Sequence, residues 1–112
     1  MYNNYEELPY TGGTYYDHIE AEDFEQALEF KVDYSPNDIV VGGKYTFFRM
    51  AKTIPTDDRP DELVYLKLHG EVVLRNANII LFMHSTMKAK TMNLDGLGQF
   101  GKDWFFIQDS HI

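Results

Sequence analysis

The stretch LVYLKLHGEVVL, at residues 63–74, carries the pattern that decides the fold. Its first half alternates between two sets of side chains, as expected for a β-strand whose two faces differ. These sets are Leu63, Tyr65 and Lys67 on one side, and Val64, Leu66 and Leu68 on the other. His69-Gly70 breaks the alternation, and a strand pattern resumes at residues 71–74.

Strand patterns and turn signals continue on both sides of this stretch. Apolar or alternating segments predict strands at residues 28–34, 39–41, 45–54, 79–84, 87–92 and 104–107. Residues that favour turns predict turns at 35–38, 42–43, 75–78 and 93–96, and a loop at 55–62. This rhythm is typical of all-β domains. We predict a mainly β, single-domain β-sandwich or barrel of about seven strands with one short N-terminal helix, and α+β as the fallback.

The N-terminal quarter of the chain differs sharply in charge from the rest. Residues 1–30 contain no Lys or Arg, so the net charge of −8 arises there. The acids of this segment are Glu6, Glu7, Asp17, Glu20, Glu22, Asp23, Glu25 and Glu29. Asp17 and Glu20 have capping-box spacing, and Ile19, Phe24 and Ala27 approximate one helical face. We predict an irregular arm at 1–16, an acidic helix within 17–30, clearest at 18–27, and a β-domain at 31–112.

Composition excludes several classes of site. The chain has no cysteine, so disulfides, thiolate metal sites and thiol nucleophiles are excluded. Its longest apolar runs are long enough for a strand but not for a membrane span, and its acidic start is the reverse of a signal peptide. We therefore expect a complete cytoplasmic protein, in the host cytoplasm if it is viral. An acidic balance disfavours direct contact with nucleic acid or anionic membranes and favours a basic partner. Acidity that only maintains solubility is the competing interpretation.

One glycine motif suggests a phosphate site but lacks its context. Residues 96–101 read GLGQFG, which matches G-x-G-x-x-G. A dinucleotide site needs this motif to open a helix within a βαβ unit, followed by an acid about twenty residues later. Only eleven residues follow Gly101, and they favour a strand. A glycine-rich hairpin loop is therefore the better interpretation.

The remaining candidate sites are weak. His18 and Glu22 have a spacing compatible with two metal ligands on a helix, but two ligands do not make a site. The acids at 57–62 lie in a proline-flanked loop that suits a solvated surface better than catalysis. His84 and Ser85 would point to opposite faces of a strand. We therefore expect no catalytic residue, no metal and no cofactor.

Sulphur-containing and aromatic side chains are expected to fill the core. The methionines concerned are Met50, Met83, Met87 and Met92. The aromatic set is Tyr45, Phe47, Phe48, Phe82, Phe100, Trp104, Phe105 and Phe106. A nucleic-acid stacking platform would need converging cations around such rings. The available cations are Lys44, Arg49, Lys52, Lys88, Lys90 and Lys102.

The predicted function is a non-enzymatic acidic binding protein. A sharper version is a small phage-type or mobile-element inhibitor whose carboxylates mimic nucleic-acid phosphates and block a basic site on a nucleic-acid-binding protein. Tyrosines would add rigid contact area. The predicted contact residues are Tyr15, Tyr16, Asp17, Glu20, Glu22, Asp23, Glu25 and Glu29. The alternatives are a structural or virion assembly component and a ligand-binding β-barrel with Tyr65, His69 and His84 in its pocket.

Overall fold

The computed structural model describes residues 16–30, 35–53, 55–58 and 60–109 of the chain, without the side chain of Phe30. These residues form one helix, two short 3₁₀ helices and six strands. The helix is α1 (Ala21–Phe30), and the 3₁₀ helices are Pro36–Asp38 and Leu94–Leu97. The strands are β1 (Asp17–Ile19), β2 (Lys44–Lys52), β3 (Leu63–Asn76), β4 (Ile79–Ser85), β5 (Lys88–Asn93) and β6 (Trp104–Gln108).

The described strands form one antiparallel sheet in the order β5-β4-β3-β2-β6, and β1 pairs separately with β3. The mainly β prediction is therefore confirmed. The predicted sandwich or barrel of about seven strands is not, because this six-stranded sheet does not close on itself. Strands β2, β4, β5 and β6 lie within a few residues of their predicted positions.

Strand β3 is the longest of the described strands, and it pairs with β1, β2 and β4. One of its edges pairs with β2 over residues 63–71, whereas its other edge is divided between β1 at residues 65–67 and β4 at residues 71–76. The predicted break at His69-Gly70 is wrong, because β3 runs through both residues. Thr46 of β2 pairs with His69, and Tyr45 pairs with Gly70.

The main core covers one face of the sheet and contains most of the predicted aromatic set. Phe47 on β2 and Phe82 on β4 are not on neighbouring strands, yet their ring centroids lie 5.0 Å apart. Gly70 lies in the intervening strand, and a Cβ there would collide with the carbonyl oxygen of Met83 and lie 2.9 Å from the Phe82 ring. The missing side chain at Gly70 therefore allows β2 and β4 to pack together across β3.

The segment from residue 94 to residue 103 covers this core. It connects β5 to β6, which lie at opposite edges of the sheet, so the predicted glycine-rich hairpin at this position is wrong. Leu94 is buried in the core, and Leu97 and Phe100 pack against it. The indole nitrogen of Trp104 donates a hydrogen bond of 3.1 Å to the carbonyl oxygen of Gly98. Among the described residues after Gly101, up to 109, there is strand β6 and no helix, which removes the dinucleotide interpretation of the motif.

Helix α1 packs on the opposite face. It begins at Ala21 rather than Asp17, because Asp17–Ile19 pairs with β3 as β1. It continues through Leu28 and Glu29, so the strand predicted to start at residue 28 is wrong over 28–30, and residues 31–34 lie outside the described part of the chain.

The strand predicted at residues 39–41 does not form. Ile39 is buried in the core, but Val40 and Val41 are exposed and the segment has no ladder partner. Side chains bind its backbone instead. Arg75 Nη1 donates to the carbonyl oxygens of Pro36 and Ile39 at 2.8 and 2.7 Å, and the Val40 N–H donates to the Tyr45 hydroxyl at 2.9 Å.

Candidate functional site

The exposed side of α1 carries a stripe of carboxylates. At 100° per residue, Glu22, Glu25 and Glu29 fall within about 60° of one another around the helix axis. Phe24 and Ala27 fall on the opposite side. All three glutamates are exposed, Phe24 is buried and Ala27 is partly buried. The sequence pattern therefore orients the helix with its acids toward solvent.

Aromatic contacts fix α1 on the sheet. Phe24 is only 4% exposed. Its ring centroid lies 5.2 Å from that of Phe105 in an edge-on contact and 5.1 Å from that of Tyr65. Phe48 stacks on Phe105 beneath them, with centroids 4.9 Å apart. This cluster anchors the helix, so its acids occupy defined positions.

Helix α1 contains no basic residue that could neutralise its acids. The last turn of α1 contains no basic residue. No ion pair between described residues involves an acid of α1; the described pairs are Lys52–Asp61 and His69–Asp109. Asp17 and Glu20 are also exposed, next to the start of the helix. We call Asp17, Glu20, Glu22, Asp23, Glu25 and Glu29 the acidic surface.

The two predicted tyrosine contacts do not extend this surface. Tyr15 lies outside the described residues. Tyr16 is 6% exposed and belongs to the main core, so it does not offer a contact to a partner in this conformation. Two cations approach its ring, with Arg49 Cζ 5.7 Å and Lys90 Nζ 5.0 Å from the ring centroid.

These two cations line a cavity of about 190 Å³ that the sequence did not reveal. Its lining includes Tyr16, Arg49, Lys90, Thr91, Asn93 and Leu97. None of the described residues that line it is acidic. We call it the basic cavity. Arg49 and Lys90 lie on β2 and β5, which the sheet separates by two strands, and only the three-dimensional fold brings them together.

The other predicted sites are not assembled. His18 is exposed on β1 and Glu22 on α1, and the described residues contain no group of three or more His, Cys, Asp or Glu side chains suited to a metal ion. In the loop at 55–62, Asp57, Asp58 and Asp61 are exposed, Lys52 approaches Asp61 at 3.8 Å, and Arg59 lies outside the described residues.

The predicted ligand pocket around Tyr65, His69 and His84 does not form. Tyr65 packs under α1, and His69 Nδ1 lies 2.9 Å from Asp109 Oδ2 and 3.1 Å from Thr46 Oγ1. His84 is two residues after the core residue Phe82, so strand periodicity places it on the core face, whereas Tyr65 and His69 lie on the opposite face. The three side chains therefore do not converge.

Two of the methionines expected in the core are on the surface. Met92 is buried and Met50 packs near Phe48 and Phe105, as predicted. Met87 is 86% exposed at the turn between β4 and β5, and Met83 is also exposed. Strand periodicity alone did not distinguish the two faces at these positions.

Comparisons with known proteins add no functional information. No protein-family model matches the chain, and no curated protein or solved structure shows significant similarity to it. Within the described residues, α1 is too short and too polar to cross a membrane.

Proposed function

We propose that this is a non-enzymatic binding protein whose acidic surface contacts a basic site on a partner protein. The observation that carries the proposal is the stripe of Glu22, Glu25 and Glu29, which is exposed, lacks ion pairs to described residues and is held in place by Phe24. A rigid array of like charges attracts an oppositely charged surface and speeds association with it.

The spacing of these acids suits a partner that normally binds nucleic acid. The three carboxylates of the stripe, at positions 22, 25 and 29, span about 10 Å of helix axis at about 1.5 Å per residue. That is roughly one charge per 5 Å, the same order as the axial spacing of about 3.4 Å between phosphates of one DNA strand. We therefore propose that the partner site is one that binds phosphates, and that this protein blocks it.

Charge reversal on the stripe tests this function. The variant Glu22→Lys/Glu25→Lys/Glu29→Lys and the wild type are used as bait in a pull-down from host lysate at about 0.05 M and about 0.5 M NaCl. We expect the wild type to retain a specific protein at low salt, to lose it at high salt because ions screen the contact, and to release it when duplex DNA is added. The triple variant should not retain it.

The matched control places the same charge change elsewhere. The variant Asp57→Lys/Asp58→Lys/Glu62→Lys alters three exposed acids of the loop at 55–62 and gives the same net charge. It should retain the partner if position matters and lose it if only net charge matters. Retention of the partner by the α1 variant, or a captured protein that duplex DNA does not displace, would contradict the proposed function.

A further inference from the structure

Part of the sheet face that carries α1 is exposed. Helix α1 packs on Phe105 and Tyr65 through Phe24, toward one end of β3. Leu74 follows Tyr65 in β3 by nine residues (74 − 65), which is about 30 Å at about 3.3 Å per residue. The side chain of Leu74 is 62% exposed. The end of the face around Leu74 is therefore distant from the helix contact and open to solvent.

Apolar side chains occupy this exposed end. Phe82 of β4 is buried in the main core, so alternation places Leu81 and Met83 on the other face, together with Ile79 two residues before Leu81. Leu74 pairs directly with Leu81 and so lies on the same side of the sheet. Ile79 and Met83 are exposed and Leu81 is half-buried. We call these four residues the apolar patch: Leu74, Ile79, Leu81 and Met83.

The apolar patch carries almost no charge in a protein that is strongly acidic. The residues of β5 that pair with it are neutral: Ala89, Thr91 and Asn93. Glu71 pairs with Met83 on one side, and Lys44 of β2 pairs with Glu71 and has the opposite charge. Two copies of a protein with a net charge of −8 repel each other at long range. At the apolar patch they can touch without bringing unbalanced like charges together.

We propose that the apolar patch is the contact between two copies of this chain, which pair face to face around a two-fold axis. Such an axis brings the same surface of both copies together, so that surface must be complementary to itself. An apolar surface meets this condition, whereas the acidic surface does not. The two sheets would pack about 10 Å apart, like the layers of a β-sandwich. Because α1 packs near the other end of β3, both acidic surfaces remain outside the contact.

The size of the apolar patch predicts a weak and reversible dimer. Its four side chains expose on the order of 300 Å², which is the size at which apolar patches on monomers often have a function. A stable interface buries about 800 Å² on each partner, so polar residues around the patch must supply the remainder. We therefore expect dimers at high protein concentration and monomers at low concentration.

Sedimentation equilibrium of the full chain from about 10 μM to about 1 mM tests this proposal. We expect the average mass to rise from the 13.1 kDa of one chain toward twice that value and then to level off. Raising NaCl from about 0.05 M to about 0.5 M should strengthen the association, because ions screen the repulsion between two negative copies. The same change weakens a contact between the acidic surface and a basic partner, so the two interactions are distinguishable.

Leu74→Thr and Leu63→Thr form a matched pair. Both replace an exposed leucine of β3 with a neutral residue that favours strands, at opposite ends of that strand. Leu74→Thr should weaken dimerisation at least about tenfold, because two-fold symmetry removes the contact twice. Leu63→Thr should leave dimerisation unchanged, and Ile79→Thr repeats the test if Leu74→Thr does not fold.

Three outcomes would overturn the proposal and leave the proposed function of the acidic surface unaffected. The first is a mass that stays at 13.1 kDa at every concentration. The second is a mass that continues to rise past the dimer, which indicates nonspecific aggregation. The third is equal weakening of dimerisation by Leu74→Thr and Leu63→Thr.

Discussion

Gly70 illustrates how one residue controls the packing of three strands. It lies in β3 where the rings of Phe47 and Phe82 meet, and any Cβ would collide with the carbonyl oxygen of Met83. The carbonyl belongs to the backbone of β4 and cannot rotate away as a flexible side chain could. The absence of a side chain, rather than an unusual backbone angle, is what this position requires.

We expect Gly70→Ala to lower the free energy of unfolding by about 1–3 kcal/mol, the usual cost of forcing an extra group into a packed core. Urea denaturation followed by Trp104 fluorescence measures this. Gly96→Ala is the control, because a Cβ there has its nearest neighbour at 3.8 Å and should be nearly neutral. Equal effects of the two substitutions would mean that the β4 backbone moves to accommodate the methyl group.

The burial of Arg49 could not be predicted from its neighbours in the sequence. Its neighbours in the sequence are Phe48 and Met50, and nothing local indicates that its charge will be buried. In the fold it lies beside Tyr16 and lines the same cavity as Lys90, and these residues are 33 and 41 positions away in sequence (49 − 16 and 90 − 49). The basic cavity therefore depends on the strand order, which the sequence did not provide. The acidic surface could be predicted because its acids follow one another within a single helix.

At the scale of elements, strands with a local sequence pattern were predicted correctly. Elements that depend on contacts with distant parts of the chain were not. The positions of β2, β4 and β6 were predicted because alternation and turn residues are local signals. Strand β1 was missed because Asp17–Ile19 has no strand pattern and forms only where β3 offers a free edge at residues 65–67. The segment at 39–41 has the composition of a strand but forms no ladder, and Arg75 binds the carbonyl oxygen of Ile39 instead.

Helix α1 has acids at both ends, and only one end favours them. Glu22 and Asp23 in the first turn interact well with the positive end of the helix dipole. Glu29 is near the negative end of the helix dipole and lies four residues after Glu25. It is therefore repelled both by the dipole and by the carboxylate of Glu25. The acidic surface therefore costs some helix stability at its C-terminal end.

Glu29→Lys should consequently raise the free energy of unfolding by about 1 kcal/mol, the sum of a reversed dipole term and a removed like-charge pair. Glu22→Lys makes the same change in net charge at the other end of α1 and should lower it. Urea denaturation of the two variants side by side gives the sign directly. Shifts in the same direction would show that net charge, not the helix dipole, controls the outcome.

At the scale of the whole molecule, the sheet separates two regions of opposite charge. The acidic surface lies on the face that carries Phe48, and the basic cavity lies on the face that carries the main core. The net charge of −8 means that repulsion among carboxylates outweighs attraction overall. Such self-repulsion destabilises a compact state, and dissolved salt screens it.

We therefore expect the free energy of unfolding to rise when NaCl is increased from about 0.05 M to about 0.5 M, because the Debye length falls from roughly 14 Å to roughly 4 Å over that range. The rise should be smaller in Glu25→Gln/Glu29→Gln, which removes neighbouring charges on α1. It should be nearly unchanged in Asp57→Asn/Asp58→Asn, which removes the same charge from an exposed loop. An equal salt response in all three proteins would indicate a general salt effect on burial of apolar surface, and the acids of α1 would then carry no special repulsion.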